Sequence, residues 1–143
     1  MAKVRIGQVG ITGHGVTILN AIRAAKSLEL VSIFDTKSDE AKRVSRETRV
    51  KLAKDYENLL EDPDVQAVAL VTPNHLHAEQ VEKAVKAGKH VFVEKPMAST
   101  VAEARQMISR TQEAGLVLMV GHNTRRRLVF RHARQVLEKN QLG

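Results

Sequence analysis

The sequence predicts an α/β protein of the doubly wound class, with a parallel sheet of about six strands and helices on both faces. Short apolar runs alternate along the whole 143-residue chain with segments that repeat apolar residues at helical spacing. The runs are mostly apolar rather than alternating, which is typical of parallel strands buried on both faces. A glycine-rich turn follows the first run, and right-handed crossovers favour the doubly wound order. No repeat or low-complexity linker interrupts the pattern, so we expect one domain over residues 1–143.

The strands and helices are predicted in strict alternation. The strands are KVRIGQV (3–9), LELVSIF (28–34), a short one within VKLAKDY (50–56), VQAVALV (65–71), KHVFV (89–93) and LVLMVGH (116–122). The helices are GVTILNAIRAAKS (15–27), SDEAKRVSRE (38–47), ENLLEDPD (57–64), HLHAEQVEKAVKAG (75–88), STVAEARQMISRTQEAG (99–115) and RRRLVFRHARQVLEKN (125–140). Thr100 and Glu103 have the spacing of a capping box, and Gly88 and Gly115 are suited to end their helices.

The composition excludes several functional classes. The chain has no cysteine, which rules out a disulfide scaffold, a thiolate zinc site and a cysteine nucleophile, and which fits a reducing cytoplasm. No apolar run approaches the ~20 residues of a membrane helix. The first residues enter a strand pattern without a signal peptide's apolar stretch. We therefore expect a cytoplasmic protein without a membrane partner.

The net charge of +7 is concentrated near the end of the sequence. Residues 1–122 carry 17 Lys and Arg against 15 Asp and Glu, whereas residues 123–143 carry 6 against 1. Nucleic acid is the first partner to consider for such a segment, but only 3% of residues are aromatic, so bases would find few stacking platforms. We expect no nucleic-acid binding. Arg125, Arg126 and Arg127 either bind sugar or phosphate groups or form a charged helix face, with Leu128 and Leu137 turned inward.

The turn after the first strand resembles a dinucleotide-binding turn in an imperfect form. The pattern G-x-G-x-x-G falls on Gly10, Thr12 and Gly15, so threonine replaces the middle glycine and Gly13 comes one place late. In such turns the glycines allow a tight bend, close approach of the pyrophosphate and close helix packing. His14 contacts the pyrophosphate or is a solvated loop histidine. The position of the turn, between a strand and a helix, supports cofactor binding.

An acid ends the second strand. Asp35 lies 20 residues after Gly15, where a carboxylate can accept hydrogen bonds from the adenosine ribose hydroxyls. A carboxylate repels a 2′-phosphate, which favours NAD, while the nearby Lys37 leaves NADP open as a second cofactor. The alternative is an ordinary acid at a strand end.

Three motifs in the second half of the chain point to one family. They are TPN-x-x-H at Thr72–His77, A-G-K-H-V at Ala87–Val91 and E-K-P at Glu94–Pro96. By itself, E-K-P after a strand is better explained by a surface ion pair that caps the strand end. The three motifs together, with the glycine turn before them and VGHNTRR after them, resemble the NAD(P)-dependent oxidoreductases of the glucose–fructose oxidoreductase, inositol dehydrogenase and MocA family. The resemblance covers essentially the whole chain and implies a Rossmann-type fold.

The resemblance implies roles for the residues of these motifs. Thr72, Pro73, Asn74 and His77 match the loop that runs along the cofactor, and Glu94 matches an acid that contacts the nicotinamide-side ribose. His75 and His77 also form an H-x-H pair, but two helical residues at this spacing point apart and no third ligand follows, so we expect no metal.

The resemblance also implies the reacting end of the site. Lys95 matches the lysine that reaches the substrate oxygen, with a Lys95–Pro96 bond that is commonly cis, and Asn123 matches a polar residue near the nicotinamide and the substrate. The chemistry is reasonable, because hydride loss from a secondary alcohol leaves an oxygen that a lysine ammonium in a partly desolvated cleft can polarise. We therefore expect Lys95 to be the catalytic residue.

Members of this family carry a second α/β domain that supplies most of the substrate pocket, and these 143 residues contain no counterpart of it. We expect the chain to be the cofactor domain of a sugar or polyol oxidoreductase, inactive in isolation, with the substrate held through the missing domain. The alternative is a non-catalytic nucleotide-binding module completed by another subunit. The sequence leaves a homo-oligomer open.

Overall fold

The computed structural model describes residues 2–140. The strands are β1 (Val4–Val9), β2 (Leu28–Phe34), β3 (Lys51–Leu52), β4 (Ala67–Leu70), β5 (His90–Val93) and β6 (Leu118–Val120). The helices are α1 (His14–Ala24), α2 (Ser38–Thr48), α3 (Tyr56–Glu61), α4 (His77–Lys86), α5 (Val101–Glu113) and α6 (Leu128–Glu138). Short 3₁₀ turns at Asn74–Leu76 and Asn123–Arg126 precede α4 and α6.

All six strands form one parallel sheet in the order β3-β2-β1-β4-β5-β6. The chain moves outward from β1 to β3, crosses back to β4 and then moves outward to β6, so the order reverses between β1 and β4. Ligands of open α/β sheets bind outside the carboxyl ends of the strands at this reversal. The predicted doubly wound fold is confirmed, and its binding edge lies beyond Val9 and Leu70.

Two apolar cores lie on the two faces of the sheet. One packs α1 and α2 against the sheet and includes Ile18, Leu19, Ile22 and Ala41. The other lies beneath α3, α4 and α5 and extends over β4 and β5. Strands such as β4, whose four residues are all buried, contribute to both cores, because alternate side chains point to opposite faces. The sheet is therefore a rigid base for the loops at its carboxyl edge.

The helix ends follow the predicted local signals. Glu103 N–H donates to Thr100 Oγ1 at 3.2 Å, and the Thr100 N–H donates to Glu103 Oε2 at 2.9 Å, so the capping box of α5 is complete. Gly88 and Gly115, just after α4 and α5, have φ of 70° and 66°. This left-handed conformation ends a helix and is natural for glycine.

The third strand is shorter than the run VKLAKDY and holds only Lys51–Leu52. The reason is the helix that follows: Asp55 caps α3 by accepting the Asn58 N–H at 2.7 Å. The chain must turn before Asp55 to present that carboxylate, so the strand is only two residues long.

The last helix lies apart from the sheet. Leu128 and Leu137 are 80% and 61% exposed, so the prediction that they turn inward is wrong. Within residues 2–140, α6 makes its main contacts with the 3₁₀ turn that precedes it. The periodicity gives α6 an apolar stripe, but the connection at 121–127 carries the helix away from the sheet.

The sheet is consequently not covered everywhere. On the face that carries α1, Phe92 and Met119 lie side by side on β5 and β6 and line an open apolar groove. Met119 is 42% exposed. Helices lie on both faces as predicted, but they leave this part of β5 and β6 accessible. None of the helices within residues 2–140 combines the length and the apolar character needed to cross a bilayer.

Candidate functional site

Most of the predicted site residues follow four of the strands at one edge of the sheet, and Asn123 follows a fifth, β6. The glycine turn follows β1, Asp35 follows β2, Thr72 follows β4 and Glu94 follows β5. Parallel strands end at the same edge, so residues distant in sequence share one cleft at the point where the strand order reverses.

The glycine turn packs tightly where the motif has its first and third glycines. Gly10 has a φ of 81°, and a Cβ on it would overlap the Val71 carbonyl oxygen. A Cβ on Gly15 would overlap the carbonyl oxygen of Gly10. These two glycines bring the end of β1 close to β4 and to the first turn of α1.

The middle of the turn has threonine where the usual motif has glycine, yet the approach to the turn stays open. Thr12 keeps its backbone in the turn, where its carbonyl oxygen accepts the Gly15 N–H at 2.8 Å. Gly13 has a φ of 53° and is exposed, and apart from its chain neighbours no atom of residues 2–140 lies within 4 Å of the position a Cβ would take. His14 begins α1 and is 52% exposed. Gly13 thus leaves the open approach that the middle glycine provides elsewhere.

A residue that the sequence analysis did not select lies beneath this turn. Gln8, in β1, is completely buried, and its side-chain amide donates to the carbonyl oxygens of Gly10 at 2.9 Å and Gly15 at 2.8 Å. The sequence feature that could have indicated its role is a glutamine within a strand of an all-parallel sheet, where both faces are normally apolar.

Asp35 is tied to the same turn. Its Oδ2 accepts the Ile11 N–H at 2.8 Å, and its Oδ1 accepts the Lys37 N–H at 2.9 Å. Each oxygen keeps a further lone pair, and the residue is only half-buried. The carboxylate is therefore fixed by backbone groups and can still accept ligand hydroxyls.

Glu94 is the buried acid of the cleft, with 4% of its surface exposed. Its Oε1 lies 3.3 Å from His14 Nε2, and its Oε2 accepts the Lys95 N–H at 3.0 Å. Gly121 leaves room for it, since a Cβ there would lie 2.7 Å from Oε1. The contact with His14 joins the turn after β1 to the end of β5. Gly121 is a second residue whose role the sequence motifs did not indicate, although a glycine directly after a strand at the binding edge is the feature that could have indicated it.

Lys95 is exposed, and its bond to Pro96 is cis, as the resemblance implied. Among residues 2–140 no carboxylate lies within ion-pair distance of its ammonium group. The alternative of a Glu94–Lys95 surface ion pair is therefore not what the structure shows. The desolvation expected around Lys95 is not supplied by this part of the chain.

The loop after β4 is fastened to the loop after β5. His77 is completely buried, with Nδ1 3.0 Å from the Pro96 carbonyl oxygen and Nε2 2.9 Å from that of Thr72. Asn74 Nδ2 donates to Ser99 Oγ at 3.3 Å. Pro73 and Asn74 are exposed, whereas the His77 ring is enclosed by protein. This geometry suits His77 to positioning the two loops rather than to contacting a ligand.

Asn123 opens the 3₁₀ turn after β6, is exposed and lines the apolar groove beside Met119. Its predicted contact with the nicotinamide stays a prediction. No cluster of three His, Asp or Glu side chains suited to a metal ion occurs in the described part of the chain.

Comparison with known proteins gives a consistent result. Residues 4–122 match the model of the family described as "Oxidoreductase family, NAD-binding Rossmann fold". A 1,5-anhydro-D-fructose reductase of Ensifer adhaerens is 38% identical over 127 residues, which are 88% of this chain and 38% of that protein. A myo-inositol 2-dehydrogenase of Thermotoga maritima is 31% identical over 141 residues, which are 98% of this chain and 42% of that protein.

Solved structures agree with the sequence matches. A probable dehydrogenase from Thermotoga maritima superposes with a TM-score of 0.90 at 31% identity, covering 98% of this chain and 42% of that one. A 3-ketoreductase from Actinomadura kijaniata, solved with NADP, gives 0.90 at 30% identity, covering 96% and 42%. The chain thus spans about two fifths of the length of these relatives.

Proposed function

The chain belongs to the Gfo/Idh/MocA oxidoreductase family, whose members have an NAD-binding Rossmann fold, and we therefore propose that it binds NAD in the cleft at the carboxyl edge of its sheet. We propose further that it serves hydride transfer to or from a secondary alcohol of a sugar or polyol. The names of the relatives, an anhydrofructose reductase and an inositol dehydrogenase among them, support that substrate class.

The start of α1 fits a pyrophosphate. The helix has no side-chain cap and no acid in its first turn. Only α3 and α5 begin with a side-chain cap among the helices of residues 2–140, so α1 is set apart by its place after β1, where the strand order reverses. An uncapped helix N-terminus carries partial positive charge and N–H donors, which favour an anion. Gly13 leaves the approach to this end of α1 open.

Asp35 would hold the adenosine end. Its position after β2 and its remaining lone pairs suit the two ribose hydroxyls. A 2′-phosphate would place negative charge against the carboxylate. We therefore propose NAD as the preferred cofactor, with NADP bound more weakly.

Glu94 and Lys95 would serve the reacting end. Glu94 would accept hydrogen bonds from the second ribose, and the Lys95 ammonium would donate to the substrate oxygen and stabilise the negative charge that develops there. When bound, the nicotinamide supplies the chemistry of accepting or donating a hydride. One observation supports the proposal above all. The uncapped start of α1, the carboxylate of Asp35 that backbone groups hold in place, and the neighbouring residues Glu94 and Lys95 lie at one edge of the sheet.

Titration of the purified chain with NADH, and separately with NADPH, tests the cofactor. NADH fluorescence is a clean readout, because the chain has no tryptophan and a single tyrosine. We expect saturable NADH binding with at least tenfold weaker NADPH binding. If neither cofactor binds, the proposed function is wrong, and if NADPH binds more tightly, the role given to Asp35 is wrong.

An activity assay on the same purified chain tests whether it is a cofactor domain or a complete enzyme. Residues 2–140 leave Lys95 exposed, so we expect NADH binding but, when NAD⁺ is supplied as the oxidant, no efficient oxidation of inositol or hexoses. Robust turnover by this chain alone would contradict that expectation.

A further inference from the structure

Gln8 has surroundings that ordinary core packing does not explain. It is fully buried near the carboxyl end of β1, where burying an amide without partners is costly. The side-chain nitrogen uses both of its N–H groups on backbone carbonyls, those of Gly10 and Gly15. The side-chain oxygen has no partner in the described structure. The amide nitrogen therefore stabilises the glycine turn, although the amide oxygen makes no hydrogen bond with residues 2–140.

The two bonds join the two ends of the turn. Gly10 is the last residue before the bend and Gly15 lies in the first turn of α1, so one side chain links β1 to the helix start. The link requires glycine at position 15: a Cβ there would overlap the Gly10 carbonyl oxygen and lie 3.5 Å from the Gln8 amide nitrogen.

The peptide group between Gly10 and Ile11 is held from both sides. Gln8 binds its carbonyl oxygen, and Asp35 binds its N–H at 2.8 Å. Rotation of this peptide plane would break both hydrogen bonds together. Glycine at position 10 has little intrinsic preference for one orientation, so the orientation must come from such partners.

We propose that Gln8 is a positioning residue for the cofactor: with Asp35 it fixes the Gly10–Ile11 peptide and the start of α1, and so preorganises the turn that receives the pyrophosphate. This inference rests on the proposed function. Gln8 itself cannot touch the cofactor, because it is completely buried beneath the turn. Its effect must pass through the backbone, and it should appear with ligands that contain the pyrophosphate and not with those that lack it.

The test compares Gln8→Met with the parent chain. Methionine has a similar length and volume and lacks the amide donors. We expect the Kd for NADH, measured by fluorescence, and the Kd for ADP, measured by its displacement of NADH, to rise at least tenfold. The Kd for adenosine, measured in the same way, should stay within twofold. A purely structural role would not separate ADP from adenosine.

Ser32 provides the matched control. It is also a completely buried polar residue of the sheet, its hydroxyl has no partner within residues 2–140, and it pairs with Gly7 of β1 rather than lying in the turn. We expect Ser32→Ala to leave the NADH affinity within twofold. Should Gln8→Met fail to fold, Gln8→Asn keeps a buried amide that is one methylene too short to reach both carbonyls, and it should give the same tenfold loss.

The outcomes are distinguishable. If the parent chain does not bind NADH, the proposed function fails. If the parent binds NADH and a folded Gln8 variant binds it within twofold as well, the function stands and the role of Gln8 is wrong. Equal losses for ADP and adenosine would also overturn that role, because they would indicate general damage to the site.

Discussion

Gly121 decides whether Glu94 can occupy the cleft. The glycine directly follows β6, and a Cβ on it would lie 2.7 Å from Oε1, 2.9 Å from Cδ and 3.1 Å from Oε2 of Glu94. All three atoms belong to the end of one side chain, so a side chain at position 121 would force that buried carboxylate to move. A buried acid thus depends on the absence of a side chain 27 residues later in the sequence.

We expect Gly121→Ala to displace Glu94 and to destabilise the fold by about 1–3 kcal/mol, the usual cost of overpacking. The NADH affinity should fall as well, because the displaced carboxylate is the one assigned to the ribose. Urea unfolding and NADH titration measure the two effects. The double variant Gly121→Ala with Glu94→Asp, whose acid is shorter by one methylene, should recover part of the stability. A Gly121→Ala chain with unchanged stability and NADH affinity would contradict this account.

The residue scale is also where the sequence was least informative. Asp35 and Glu94 could be selected because an acid after a parallel strand lies at the binding edge. The burial of Glu94 and its contact with His14 could not be predicted, since the two residues are 80 positions apart and only the assembled sheet brings them together. The bridging contacts of Gln8 likewise depend on the precise path of the turn.

Among the elements, the segment that links α3 to β4 is fastened by one buried acid. Asp62 follows α3, is 7% exposed, and accepts the Lys51 ammonium at 2.6 Å and the Asp64 N–H at 2.9 Å. The hydrogen bond from Lys51 is the main reason that the pKa of Asp62 is lowered, and the bond from Asp64 adds to the effect. Lys89 binds the carbonyl oxygen of Asp62 at 2.9 Å. The acid therefore joins β3 to the crossover that leads back to the centre of the sheet.

We expect Asp62 to make the fold sensitive to acid. Its folded pKa lies below the unfolded value of about 3.9, so its contribution is fully present well above that value and is lost as the pH falls through the folded pKa. Asp62→Asn should lower stability at pH 7 and reduce the loss of stability between about pH 5 and pH 3. Urea unfolding across this range measures the change. Asp39→Asn, at a fully exposed side chain, is the control and should leave the profile unchanged.

The elements themselves were largely predictable, because their signals are local. The capping box of α5 and the glycines after α4 and α5 need only neighbouring residues to act, and each has the predicted geometry. The length of β3 depended on competition between a strand and the cap of α3. The sequence pattern alone does not show whether these residues continue the strand or turn to form the cap of the helix.

For the molecule as a whole, the strand order followed from the apolar runs and from the handedness of crossovers. The position of α6 did not, because its apolar stripe shows which side of the helix seeks a partner but not where the partner lies. The structure leaves both that stripe and the groove beside Met119 exposed. An open apolar face on a parallel sheet is unusual, and the relatives that extend beyond this match are more than twice as long.

The proposed cofactor groups follow three strands, β1, β2 and β5, so the complete site exists only when the sheet is folded. NADH should therefore stabilise the native state by mass action, by about 2.7 kcal/mol at a concentration of 100 Kd. For a chain near 150 residues each kcal/mol raises Tm by about 2–4 °C, which predicts a rise of about 5–10 °C. Thermal unfolding followed by circular dichroism, with and without NADH, measures it.

The same concentration of NADH should stabilise Gln8→Met less than the parent. A tenfold higher Kd reduces the ligand from 100 Kd to 10 Kd and the stabilisation to about 1.4 kcal/mol, so the rise in Tm should be roughly halved. Ser32→Ala should keep the full rise, because its affinity is unchanged. A parent chain whose Tm does not move at saturating NADH would mean that the native sheet has no preference for the cofactor, and the proposed site would then have to be abandoned. A Gln8→Met chain with the full rise would leave the site in place and remove only the link between the buried amide and the turn.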